Sequence, residues 1–491
     1  MSDARRYLWL LGILVAEAVL FVWKCNHFFN GDSLYFFSHQ VGSSADVWRV
    51  FKGPDQLWQY RPLTFLIFSF FLKPLFGLNP LGYNLFPLFV HAANTLIVFG
   101  ILRSLRLAER AALLGTFFFG AHCVAFYVTY GVAFLPDFSY SFFYLLSVFF
   151  FVKYVSVGSR GMLPLSLLAF VLALFCKEAA SALAPLVFVI AFLWGKEGFR
   201  RPQDSFARTT AVAFRRTFPF LFLGVIYLGF HWMVKSGQIY APGIDHPHHM
   251  ELSLHALHYK YKYLKWAFNL PDGLVFSFNG WLNYLIALAL LVFVMPFAFS
   301  SVRRLWKLDR LTWCGLIWFV IALSPVLLLR NLTMHHNLYM PLAGLALVFG
   351  DWLHGILERF ETVGRAWACT AVSAFVIVFI GAVFFHNLDA VKHSWIAEAS
   401  TIAETSLQDL KRLRPTIPDG TTIYVIDKSS LGGLRWYYDY GSLIRLFYAS
   451  KSLNVQFIDR GGPLPDRNSV PKGAIFVEYD GSHLSEATGG I

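Results

Sequence analysis

Acids and bases set beside long apolar runs are the residues that could do chemistry, because a polar group at such a depth is costly to keep. Asp32 comes first. It stands in FFNGDSLYFF, just past the first apolar run, and Gly31 before it permits a tight turn. A carboxylate in those surroundings could take a proton from an attacking hydroxyl. It could equally be the N-cap of a helix opening at SLYFFSHQ. Asp137, in FLPDFSYSFF, carries the same two alternatives, a second acid or an N-cap after Pro136. Lys177 and Glu178 interrupt an apolar stretch between runs 162–176 and 179–195. Lys177 could hold a lipid phosphate with Glu178 orienting it, or the two could form a solvated turn. Arg61, in YRPL, is another cation suited to a phosphate. Arg330 ends an apolar run and could either clamp a phosphate or snorkel to headgroups.

Histidines gather in IDHPHHMELSLHALH, 244–258, which holds His246, His248, His249, His255 and His258. His255 and His258 are three apart and would share a helical face. A divalent metal is one option there, and a polar interfacial loop is the plainer one, since no fixed ligand spacing marks a site. No cofactor is otherwise indicated. The cysteines, Cys25, Cys123, Cys176, Cys314 and Cys369, read as small buried side chains without metal-ligand spacing.

The elements that must position these groups are membrane helices. Of 491 residues, 57% are hydrophobic and only 14% are charged, against about 25% charged in soluble domains. The excess of apolar surface needs lipid to face. The net charge of +12 does not indicate nucleic acid, because most basic residues lie in short clusters between apolar runs, as in cytoplasmic loops. Spans are expected at 7–24, 81–102, 111–130, 138–156, 162–176, 179–195, 217–235, 281–300, 311–329, 338–356 and 367–386. The fold expected is therefore an all-α polytopic membrane protein with about eleven transmembrane helices. The first run follows Arg5 and Arg6 and reads as an uncleaved span. The run 62–76 contains Pro74 and reads as a helix lying on the membrane surface. That assignment keeps the Lys/Arg clusters on one side and puts the N-terminus in the cytoplasm.

A transmembrane domain is expected over 1–386, with outer segments at 25–80 and 236–280. From 387 to 491 the chain turns polar and of mixed charge. It reads as helix 396–413, strand 421–427, helix 441–451, strand 454–459 and strand 474–479, a small α/β domain on the outer face.

Four pieces, in order, resemble a known family. These are YRPLTFLIFSFFLKPLFGLNPLGYNLFPLFVHAANTLIVFGILRSL at 60–105, VTYGVAFLPDFSYSFFYLLSVFFFVKY at 128–154, LALFCKEAASALAPLVFV at 172–189 and HHNLYMPLAGLALVFG at 335–350. They look like the GT-C type of membrane glycosyltransferase, in particular the tetratricopeptide-containing O-mannosyltransferases and their bacterial relatives, over roughly 25–355. The resemblance implies transfer of a sugar from a polyprenyl-phosphate carrier to an acceptor hydroxyl, with inversion, and with Asp32 as general base. It implies Asp137 and Glu178 as further acids, Arg61, Lys177 and Arg330 as cations for the donor phosphate, and His336 and Tyr339 as pocket residues. The chain departs from the family in three ways. Asp32 stands between Gly31 and Ser33 where the family's first loop often has paired acids. His336 and Asn337 stand where the family has an arginine, and the small tail replaces the repeats. The expected partners are the lipid-linked sugar, the bilayer and a protein, lipid or glycan acceptor, with no nucleic acid. The expected place is a bacterial inner membrane with the tail in the periplasm. The competing class is a polytopic transporter or lipid flippase without transferase chemistry; it would show related halves, and the sequence has no internal repeat.

Overall fold

The computed structural model describes residues 3–52, 60–194, 205–236, 249, 251, 260–270, 280–429, 433–466 and 469–487. Apolar runs fold as helices because lipid leaves no partner for an open backbone. Seven helical stretches among the described residues are long and apolar enough to cross a membrane: 3–25, 80–104, 132–157, 206–233, 310–327, 335–362 and 369–393. The chain is an integral membrane protein, mostly helical, with a small C-terminal sheet.

Three expected spans are short. The run expected to cross at 111–130 is a 12-residue helix, Glu109–Gly120, and a separate helix, Val124–Val128. His122 stands in the break, where its Nδ1 accepts the Val124 N–H at 3.2 Å. That bond draws the backbone out of the helical ladder. The runs either side of Lys177 are helices Met162–Cys176 and Leu183–Trp194, the second preceded by a 3₁₀ turn, Glu178–Ala182. Lys177 itself is extended, with φ −159° and ψ 138°. The 62–76 run is α-helical at both ends with a π-helical middle, Ile67–Leu72.

Helix Tyr339–Val363 lies at the heart of the bundle. Small residues let backbones meet there. A Cβ on Gly344 would collide with the Gly315 carbonyl of helix Arg310–Leu327, and one on Gly350 would collide with the Ala111 carbonyl and sit 2.7 Å from the Gly115 nitrogen of helix Glu109–Gly120. Gly350→Leu should therefore cost at least about 1–3 kcal/mol through overpacking. A Cβ on Gly381 would meet nothing within 4 Å, so Gly381→Leu serves as the tolerated control. Size-exclusion profiles and melting temperatures in detergent check the contrast; equal behaviour of the two variants would contradict this packing.

The tail builds a four-stranded sheet in the order β2-β1-β3-β4, from β1 Thr422–Asp427, β2 Asn454–Ile458, β3 Ile475–Tyr479 and β4 Leu484–Glu486. Strand β1 is central and parallel to both neighbours, with Val425 opposite Phe457 and Val477. Its side chains are mostly buried, as expected of a strand covered on both faces. Helix Trp395–Leu413 follows the last membrane helix after the extended Ser394, which caps it, its side chain accepting from the Ala397 N–H. The tail rests on the bundle through Phe447, whose ring lies 5.3 Å from Phe28.

Candidate functional site

At one end of the bundle helix Gly31–Ser38 contacts the Val132–Phe134 turn and the tail helices Leu434–Tyr437 and Ser442–Phe447, and Phe134 of that turn lies against His336 of the His335–Leu338 turn. The sequence-predicted residues divide between two places at that end and others apart from it.

Arg61, Asp137, Lys177 and Glu178 come together as two ion pairs. Asp137 lies in the first turn of helix Leu135–Val157, after Pro136. Lys177 Nζ donates to Asp137 Oδ1 at 2.6 Å, and the two side chains are only 11% and 10% exposed. Arg61 precedes the helix that starts at Pro62; its Nε donates to Glu178 Oε2 at 3.2 Å and its Nη2 to Glu178 Oε1 at 3.0 Å. That is a bidentate fork, which fixes the guanidinium plane. Thr64 pins the same helix, donating to the Cys176 carbonyl at 3.1 Å. His336 stands in electrostatic reach of Asp137, Lys177 and Arg61, with its ring 5.1 Å from Phe134. Asp137 is therefore a buried ion-pair partner rather than a helix cap, and Lys177–Glu178 is no solvated turn.

Asp32 occupies the second place. The cap of helix Gly31–Ser38 is Asn30, whose Oδ1 accepts from Ser33 N at 3.0 Å. Asp32 is thereby free of capping. Its side chain is exposed to solvent, yet protein surrounds it closely enough that desolvation raises its pKa, with the Asp439 carboxylate adding to the rise. Asp439 belongs to the tail and accepts a hydrogen bond from Ser38 Oγ at 2.9 Å. Asp439 and Tyr440 both have positive φ, 44° and 51°, a backbone state that costs on the order of 1–3 kcal/mol per residue. Among the described residues no hydrogen bond or ion pair joins Asp32 to the two ion pairs. The link is one of packing: helix Gly31–Ser38 contacts the Val132–Phe134 turn, and Tyr35 lies 5.9 Å from Phe65.

Two predicted residues lie apart. Arg330 Nη1 donates to Glu251 Oε2 at 3.0 Å, and its backbone N–H donates to the His249 carbonyl. Tyr339 is buried in the bundle with its hydroxyl against His91 and Asn94. His255 and His258 lie outside the described residues. Among the described residues no group of three or more His, Cys, Asp or Glu is arranged to hold a metal.

Sequence reasoning missed Asp439, which sits in a tail read as a separate unit. It also missed Lys24, buried at the exit of the first span, where Nζ donates to the Phe126 carbonyl at 2.6 Å and to Thr129 Oγ1 at 2.7 Å. A lysine beside an apolar run was the available signal.

No family model and no curated protein matches the chain. Solved structures do. The chain is similar to ArnT from Cupriavidus metallidurans in the apo state, with a TM-score of 0.52 and 10% identity, over 96% of this chain and 93% of that one. It is also similar to the Archaeoglobus fulgidus oligosaccharyltransferase tethered with an acceptor peptide containing the NVT sequon, with a TM-score of 0.50 and 12% identity, over 94% of this chain. The chain spans 64% of that oligosaccharyltransferase's length. Likeness at such low identity is a likeness of fold: the chain shares its fold with ArnT and with that oligosaccharyltransferase.

Proposed function

We propose that the chain moves a sugar from a polyprenyl-phosphate carrier to an acceptor hydroxyl with inversion. The observation that carries this is the meeting of Arg61, Asp137, Lys177, Glu178 and His336, drawn from four separate stretches of chain, at the same end of a GT-C fold as Asp32. In the step, the acceptor oxygen bonds to the anomeric carbon. The bond from that carbon to the phosphate oxygen breaks, and its electron pair leaves on the phosphate. Asp32 takes the acceptor proton. The charge growing on the phosphate is met by Arg61 and Lys177, with Asp137 and Glu178 holding both cations in place beforehand. The Arg61 fork uses two of five N–H donors on Glu178, so donors remain for a phosphate. His336 lines the donor side. Arg330 and Tyr339 receive no role in the step.

The proposal includes an N-terminus in the cytoplasm and the site on the opposite face of a bacterial inner membrane. The test is reconstitution of the full chain in liposomes with a panel of polyprenyl-phosphate hexoses and pentoses. The expected result is consumption of one donor, release of polyprenyl phosphate and an acceptor product of inverted anomeric configuration. Lipid translocation without loss of sugar from any donor would assign the protein to the flippase class instead.

A further inference from the structure

The corner between helix Gly280–Trp306 and helix Arg310–Leu327 takes no part in the transfer step. One face of the first helix carries Leu288, Val292, Met295, Phe299, Val302 and Trp306, each three or four residues after the last and 52% to 84% exposed. That spacing makes one continuous apolar stripe. At its end the stripe opens into a cavity of about 410 Å³ lined by Val302, Leu305, Trp306, Leu308 and Trp313. Trp313 ties the two helices together there, its Nε1 donating to the Leu305 carbonyl at 3.2 Å.

A basic row runs beside the stripe. Arg303, Arg304, Lys307 and Arg310 fall close together in the sequence. Two of them are engaged: Arg304 is ion-paired with Asp351, and Arg310 Nη1 donates to the Leu193 carbonyl at 3.3 Å. Asp309, the acid of the turn, is taken up in capping the second helix, where it accepts from the Thr312 N–H at 3.0 Å and hydroxyl at 2.6 Å. Arg303 and Lys307 are exposed and form no ion pair among the described residues. They are four apart and share a helical face, one residue on from Val302 and Trp306. The turn itself is strained. Leu308 has φ 55° and is 68% exposed, in the place past a helix end that glycine usually takes. Strain of this kind gathers at ligand clamps.

A ligand for this corner needs an apolar chain and a negative head. The chain fits the stripe and the cavity, and a phosphate fits the two uncommitted cations. Trp306 stands where the two meet, the depth at which tryptophan borders headgroups. We propose that the corner binds one anionic phospholipid, with its phosphate on Arg303 and Lys307 and an acyl chain in the cavity. The site is independent of the transfer reaction, so either reading can fail alone.

The test is native mass spectrometry of the delipidated full chain, titrated in detergent with dioleoyl phosphatidylglycerol or dioleoyl phosphatidylcholine. Arg303→Gln/Lys307→Gln is expected to retain one phosphatidylglycerol fewer than the wild type. At that site the wild type should prefer phosphatidylglycerol about 10- to 30-fold, the effect of two cations near a lipid surface. Leu308→Gly should also lose that lipid, while its melting temperature without lipid stays at or above the wild-type value because the strain is relieved. An unchanged phosphatidylglycerol count in the double variant overturns the proposal. Equal retention of the two lipids at the site means ordinary annular lipid and overturns it too. If the double variant fails to fold, Leu308→Gly decides, and a full phosphatidylglycerol count in it is the overturning result.

Discussion

Asp32→Asn should lower sugar transfer about 100- to 10,000-fold, the usual range for losing a general base, and leave the melting temperature near that of the wild type. The reason for normal folding is local. Asn30, not Asp32, caps the helix, and the exposed Asp32 makes no hydrogen bond among the described residues, so the substitution removes none. Asn keeps the shape and cannot take the proton. The pH profile gives a second handle. Enclosure, with Asp439 nearby, raises the pKa of Asp32. A base must be ionised to act, so wild-type kcat/KM should fall as pH drops through a value above the ordinary carboxylate range of about 4. Above that value it should be flat on this limb. Asp439→Asn removes one cause of the rise and should move the limb to lower pH. An Asp32→Asn variant with wild-type transfer would remove Asp32 from the mechanism, and an acidic limb that Asp439→Asn leaves in place would leave enclosure as the cause of the raised pKa.

Lys177→Met should be destabilising by about 3–5 kcal/mol, because it strands the buried Asp137 carboxylate without its cation. Both side chains are about one-tenth exposed, so water does little to compensate. Pairing it with Asp137→Leu removes the stranded charge too, and apolar replacement of a whole buried pair is often neutral. The double variant should thus recover most of the melting temperature. Transfer should stay lost, since no ammonium remains for the leaving phosphate. A double variant that regains both stability and transfer would reduce this pair to a structural brace.

The residues of the site were legible in the sequence, but their company was not. Asp32, Arg61, Asp137, Lys177 and Glu178 could each be named because charge beside an apolar run is unusual. Nothing in local spacing tells that Lys177 pairs with a residue 40 positions away or that Arg61 pairs with one 117 away. Capping was misjudged for the same reason: SLYFF suggested Asp32, yet the Asn30 amide oxygen reaches both the Ser33 N–H and its hydroxyl. Strands β1, β2 and β3 and two helices of the tail were readable from Pro and Gly breaks, while the four-residue helix Leu434–Tyr437 was not. The three-residue β4 was too short to carry a pattern. Arg330 illustrates the limit. Its charge drew notice, but its partner, Glu251, lies in a segment whose course no periodicity revealed.

The helices that lead into and away from Lys177 have 15 and 12 residues. At 1.5 Å per residue the longer one rises about 22 Å, while the hydrocarbon slab is about 30 Å thick. A hairpin this short, crossing the membrane as the sequence predicts, would draw the headgroup layer inward around itself. In the proposed reaction, a carrier's phosphate would then approach Arg61 and Lys177 from the side while its isoprenoid chain stays in oil. Lipids with short acyl tails already match this dimple, and they should form the annulus that the hairpin recruits.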